Sequence, residues 1–343
     1  MPISAADAIN PAFEHTKQQL LHPFRFAQWA RLALVGFLAG ELGSGGCNFN
    51  SAVPNLHGKS QPFPGTALPP EIANHFAAIA ALIAGLAVIG LGLTLLFLYI
   101  GSVMRFILFD SVVAKQCHIR EGWSRRRSHG RRLFVWQLWF LLATFAALII
   151  LIGIPAACAW SMGWFTHPGD HVLPLVLGGI VVFSLFAALL VALVVIQVFT
   201  KDFVVPQMAL EDITAVEGWR RLWLLLKAEK GGYAGYIGMK IVLAIAASIV
   251  LGIATVILVL VLLIPVGGVG VIAVLGGKAA GLSWTVSTIA LAVIAGCLAL
   301  AILIFAIALI NVPAIVFFPA YSIYFFAARY PPLAALLQHA PPA

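Results

Sequence analysis

Residues 72–109 carry one charged side chain, Arg105, in 38 positions. As an α-helix that run would measure about 57 Å at 1.5 Å per residue. The hydrocarbon core of a bilayer is about 30 Å thick, which about 20 apolar residues cross. Five further stretches are similar in kind: 29–46, 133–160, 173–200, 241–264 and 284–312. Composition agrees. The 343 residues are 62% hydrophobic and 9% charged, where a soluble domain carries about 25% charge. An ordinary soluble domain and a disordered chain are both excluded. The expectation is an all-α, polytopic integral membrane helix bundle of six transmembrane helices.

Lysine and arginine set the orientation. Eighteen of the 20 fall on one side, in and around 105–132 and 201–240 together with Lys17, Arg25, Arg31 and Arg329; Lys59 and Lys278 fall on the other. Both termini are therefore expected in the cytoplasm. The net charge of +8 has no soluble domain to carry a nucleic-acid surface, so no nucleic-acid partner is expected. The first ten residues lack the basic start of a cleavable signal. The four cysteines show no zinc spacing. Cys117 and Cys297 read as small apolar fillers. Cys47 and Cys158 share the outer side, with free thiols the stronger reading.

A tripeptide recurs: Glu121-Gly122-Trp123 and Glu217-Gly218-Trp219, 96 residues apart. The same shift pairs Arg105 with Lys201. Spans one, three and five open alike, on Arg31, Arg132 and Lys240. The pattern reads as one transmembrane domain of three units, about 10–115, 116–212 and 213–330, with a short tail at 331–343. Each unit is a cytoplasmic amphipathic elbow followed by two spans. Units with an even number of spans enter the bilayer in the same direction, unlike the inverted repeats of many transporters. In the elbow at 207–230, Thr214 and Glu217 fit a capping box. Ile213, Val216, Trp223 and Leu226 form an apolar stripe beside Arg220, Arg221, Lys227 and Lys230, and Gly231-Gly232 fits a helix end. A Trp/Leu face beside a basic face suits the headgroup layer. The six arginines of 120–132 fit the same place.

Charges deep in hydrocarbon are costly and usually functional; the interiors of spans two to six have none, and Glu41 lies near the outer end of span one. Proton pumps and voltage sensors are disfavoured. The outer histidines His57, His75, His167 and His171, with Asp170, read as loop residues rather than a metal site. The glycines of 268–273 follow a span, not a strand, and are no dinucleotide motif. Small residues four apart (Gly36, Gly40, Ser44; Ala77, Ala81, Gly85; Ala244, Ser248, Gly252) predict close helix packing. Pro206 and Pro319 predict broken exit helices. No catalytic, cofactor-binding or metal residue is expected. The candidate headgroup contacts are Arg105, Asp110, Lys201, Asp202, Arg220 and Arg221, where basic and acidic groups beside a bent helix end could grip a phosphate.

His22-Pro-Phe-Arg-Phe-Ala-Gln-Trp29, leading into span one, and Phe203-Val-Val-Pro-Gln-Met-Ala-Leu210, after span four, carry a resemblance. With the repeated units they resemble a loose group of uncharacterised bacterial membrane families, similar to the membrane domain beside some glycerophosphodiester phosphodiesterases. The resemblance covers most of residues 10–330 and implies a multi-pass protein of the bacterial inner or plasma membrane. The phosphodiesterase catalytic domain is absent, so no catalytic residue carries over. The leading expectation is a non-enzymatic membrane protein that binds anionic lipids or a membrane protein partner through its elbows. The alternative is a transporter or lipid-handling protein with a cavity between the units. A membrane enzyme is third, supported by the outer histidines and Glu41.

Overall fold

The computed structural model describes residues 4–41, 70–164, 169–279 and 286–339, with side chains described for all of these except 70–79, 263, 265–279, 286–287 and 339. Helices follow one another along the chain: α1 (Ile9–Leu21), α2 (Phe26–Leu38), α3 (Pro70–Val113), α4 (Ile119–Leu148), α5 (Ile154–Ser161), α6 (Val172–Phe199), α7 (Val205–Glu211), α8 (Ala215–Ala228), α9 (Lys230–Ala279), α10 (Val286–Ile310), α11 (Val312–Ala327) and α12 (Pro331–His339). Two π-turns, Ile149–Gly153 and Thr200–Val204, join α4 to α5 and α6 to α7. Among the described residues there is no strand.

Five helical segments are long and apolar enough to cross a bilayer: Ala80–Val113, Ile119–Ser161, Val172–Glu211, Lys230–Leu262 and Thr288–Ile310. The pair α11 and α12, bent by 116°, qualifies as a sixth if counted together. This is a multi-pass membrane protein. Three hydroxyl side chains inside these helices are satisfied locally. Thr94, Thr144 and Ser184 each donate a hydroxyl to the carbonyl four residues back, at 2.8 Å, the solution a water-free medium demands.

Several boundaries depart from the sequence expectation. The first span reduces to α2, 13 residues or about 20 Å, closed by Gly40 at φ 78°; residues 42–46 lie outside the described ones. α3 continues as one helix past Arg105 to Val113. The arginine segment 120–132 is no separate elbow but the first turns of α4. Pro206 breaks nothing. A proline ring clashes with the carbonyl four residues back, and the π-turn Thr200–Val204 widens the helix just before it, as Ile149–Gly153 does before Pro155. Pro319 sits inside α11. The chain breaks instead at Asn311, whose amide donates to the Ile307 carbonyl at 2.8 Å. The glycine-rich 265–279 continues α9.

The chain divides into two units: Met1–Gln28, Ser102–Met239 and Val316–Ala343 in the first, Trp29–Gly101 and Lys240–Ile315 in the second. In the second, a Cβ on Gly36 would lie 2.5 Å from Ile315 Cγ2, and one on Gly101 2.9 Å from the Leu38 carbonyl. Those two glycines let helices touch. Gly85 and Gly252 face open space, so the small-residue stripes at 77–85 and 244–252 are not packing seams at these positions. Ser44 lies outside the described residues.

The first unit holds an aromatic core. Phe203 packs against Tyr233, Tyr236 and Phe326 with ring centroids 5.1–5.3 Å apart. Tyr236 stacks on Tyr321 at 5.2 Å. Such pairs add about 0.5–1.5 kcal/mol each beyond area burial. α1 is tied to the end of α3: Gln19 Nε2 donates to the Ser111 carbonyl at 2.9 Å, and His15 Nε2 to the Val112 carbonyl at 2.8 Å.

Candidate functional site

α4 has two faces where it begins. Gly122 lies against Ile107 of α3, with a Cβ there 3.1 Å from Ile107 Cγ1, and Gly130 is pressed against Val103. Arg126 joins this inward face. Its Nε and Nη2 donate to the two Asp110 carboxylate oxygens at 2.7 Å each, and its Nη1 donates to the Ala209 carbonyl at 2.8 Å. One guanidinium thus links α3, α4 and α7, using the fork geometry that lysine lacks. Further along, Arg132 Nη1 donates to the carbonyl and carboxylate of Asp212, at 2.6 and 2.9 Å. His129 Nε2 lies 3.1 Å from the same carboxylate. Asp212 caps α7 in the left-handed conformation, φ 55°.

The outward face reads Arg120, Ser124, Arg127, Arg131, the i, i+4, i+7, i+11 positions of one helical stripe about 16 Å long. All four are exposed. Arg120, Arg127 and Arg131 make no ion pair among the described residues. Among the described residues Arg125 has only a distant partner, Glu121 at 3.7 Å. Beside the stripe, a cavity of about 110 Å³ is lined by Asp110, Ser111, Gln116, His118, Glu121 and Arg125 over Ile107, Ala114 and Gly122.

α8 also has a packed and an exposed face. Thr214 Oγ1 accepts the Glu217 N–H at 3.4 Å and starts the helix. The Glu217 carboxylate turns to Arg220 (2.7 Å) and Arg221 (3.2 Å), so only the hydroxyl half of the expected capping box forms. Arg220 holds the Glu217 carboxyl below the usual carboxylate range. Ala215, Gly218 and Leu222 are buried. Val216, Arg220, Trp223 and Lys227 form the exposed stripe, with Lys227 Nζ 5.6 Å above the Trp223 ring. Gly231 and Gly232 do not end this helix. α8 stops at Ala228, and both glycines lie in the first turn of α9. There Gly232 leaves room for Glu229 and Arg329, whose bidentate pair (2.8 and 2.7 Å) joins residues 100 apart. Arg329 also lies 3.9 Å over the Phe325 ring.

The six residues singled out in the sequence fall in different surroundings. Asp110 is engaged by Arg126. Asp202, 2% exposed, accepts from the Tyr236 hydroxyl at 2.9 Å inside the aromatic core. Arg105 and Lys201 are half-buried. Arg220 is exposed, and Arg221 bridges Glu217 and Glu211 of α7. Sequence reasoning missed the division of labour within 120–132. The signal was there: Arg126 shares a face with Gly122 and Gly130, whereas Arg120, Arg127 and Arg131 share the opposite one.

Of the histidines expected on the outer side, His171 lies 6.2 Å from the Trp164 ring; His57 and His167 lie outside the described residues, as does the His75 side chain. No group of three His, Cys, Asp or Glu placed to hold a metal occurs among the described residues. Cys158 and Cys297 are exposed, Cys117 is buried, and Cys47 lies outside them.

The model of the family of unknown function DUF7544 matches residues 3–336. The match carries no link to glycerophosphodiester phosphodiesterases. No curated protein and no solved structure matches.

Proposed function

The chain belongs to the DUF7544 family, and for this member of it we propose a non-enzymatic role: a membrane-embedded module that holds anionic lipid headgroups on the basic stripes of α4 and α8. The carrying observation is the α4 stripe, where Arg120, Arg127 and Arg131 project together with no carboxylate among the described residues to neutralise them. Guanidinium groups pair with phosphate oxygens through two parallel N–H donors. A cation near an anionic leaflet contributes about 1 kcal/mol. On α8 the exposed Val216 and Trp223 beside Arg220 and Lys227 suit the headgroup boundary.

The spacing of 96 residues seen in the sequence accords with this reading. Adding 96 to Arg120, Ser124, Arg127 and Arg131 gives Val216, Arg220, Trp223 and Lys227, the exposed stripe of α8. Adding 96 to Gly122 gives Gly218, and each glycine lies on the preceding helix, near Ile107 and near Val204. Both stripes and both termini then face the cytoplasmic leaflet, the side rich in Lys and Arg.

The test is lipid retention by native mass spectrometry of the full chain from nanodiscs of mixed phosphatidylcholine and phosphatidylglycerol. The triple variant R120Q/R127Q/R131Q should lose the preference for phosphatidylglycerol by on the order of 100-fold, from about 3 kcal/mol. It should remain folded. Wild-type preference should weaken as salt rises. Equal retention by wild type and variant would remove the proposal; a co-purifying protein lost with the three arginines would replace lipid by a protein partner.

A further inference from the structure

α1 is polar enough to be soluble, yet the corner it forms with α2 is not. Phe13, Leu21, Phe24 and Phe26 are 52–61% exposed. They alternate with the exposed cations Lys17 and Arg25. Phe13, Lys17 and Leu21 lie four apart on one edge of α1, and Phe24, Arg25 and Phe26 follow where the chain enters α2.

The position of this corner is fixed from behind. Gln19 and His15 donate to the carbonyls of Ser111 and Val112. Gln28 Nε2 donates to the Lys115 carbonyl at 2.8 Å, and Lys115 Nζ to Gln18 Oε1 at 2.9 Å. The Tyr321 hydroxyl donates to the Ala5 carbonyl at 3.0 Å. These acceptors at 111–115 are the last turn of the apolar segment Ala80–Val113 and the residues just after it. The corner is therefore held where a membrane-crossing helix leaves the bilayer. Large apolar side chains grouped on an exposed surface mark a membrane or protein contact. Aromatic rings interleaved with Lys and Arg match the layered chemistry of the headgroup region: apolar below, phosphate above.

We propose that the α1–α2 corner is a membrane-surface anchor, with Phe13, Leu21, Phe24 and Phe26 inserted at the headgroup–acyl boundary of the membrane the chain crosses. Lys17 and Arg25 stay at the phosphate level. Insertion rests on apolar contact, so unlike the α4 stripe it persists on zwitterionic lipid.

The experiment uses nitroxide labels at Leu21→Cys and Phe26→Cys, each in a full-length background with Cys47, Cys117, Cys158 and Cys297 replaced by Ala, in nanodiscs of phosphatidylcholine alone. A label at Val181, exposed on α6, calibrates the hydrocarbon. Oxygen collisions should exceed those of a water-soluble nickel chelate at both positions, at a depth shallower than at Val181. Chelate-dominated collisions would overturn the proposal. So would spin–spin broadening that grows with the number of protein copies per nanodisc, which would place a second copy on the corner. Hydroxyl-radical footprinting of the unsubstituted chain in the same nanodiscs guards against misfolded variants. Phe13 and Phe26 should oxidise far less than in a peptide of residues 9–28 in buffer; equal oxidation would overturn the proposal.

Discussion

Arg126 and Arg120 are six residues apart on one helix and do opposite things. Arg126 fills three acceptors on two other helices. Its replacement by Ala leaves the Asp110 carboxylate half-buried without a cation. The expected loss is about 2 kcal/mol, since hydrogen bonds to charged groups are worth roughly 1.5–3 kcal/mol each and Asp110 keeps some access to water. Arg120→Ala should change stability by less than about 0.5 kcal/mol. Thermal unfolding in mixed micelles separates the two. His15 offers a pH test. The Val112 carbonyl can only accept, so Nε2 carries the proton and Nδ1 accepts from the Tyr324 hydroxyl at 3.2 Å. Burial, with Lys115 nearby, depresses the imidazole below its ordinary value of 6.5. The folded state then binds fewer protons than the unfolded one just below pH 6.5. The contribution to stability is complete above pH 6.5 and is lost as pH falls through the depressed value. Between pH 7.5 and 5.5 the unfolding temperature of the wild type should drop, and by less in His15→Gln.

At the level of helices, hydropathy located the apolar stretches, because about 20 uncharged residues leave little choice in a bilayer. It could not locate helix ends. Glycine and proline read as stops in water, but a chain in lipid must keep its backbone bonded. π-turns absorb Pro155 and Pro206, and α9 also runs on past Gly267 and Gly268 to Ala279. Periodicity did not give the packed face of α8: Val216 and Trp223 are outside beside Arg220 and Lys227, while Ala215, Gly218 and Leu222 pack. Small-residue spacing marked Gly36 and Gly85 alike, and only contact distinguishes them. Gly36→Ala should cost about 1–3 kcal/mol, because the new methyl overlaps Ile315. Gly85→Ala should be neutral or stabilising by up to about 1 kcal/mol. Unfolding in denaturant at fixed detergent composition compares them.

Over the whole chain, burial is uneven. In four of the five spans, none of the most apolar 18-residue window is buried within the chain. The buried side chains cluster instead where helices end, around 102–113, 199–209 and 312–333. This was not legible in the sequence, since a lipid-facing leucine and a packed leucine have the same hydropathy. It predicts an uneven alanine scan. Phe203→Ala, at a fully buried ring, should cost about 3–5 kcal/mol. Leu91→Ala and Val181→Ala, both mostly exposed, should cost less than about 0.5 kcal/mol.

Glu229 and Arg329 have one consequence for biogenesis. A ribosome adds about 5–20 residues per second. The 100 residues between the two then separate their arrivals by about 5–20 s. For that interval the turn between α8 and α9 has no guanidinium to latch it, and its carboxylate stays hydrated. The corner closes late, by a residue from a distant helix, so a nascent chain stalled before position 329 would expose an open hinge to quality-control proteases.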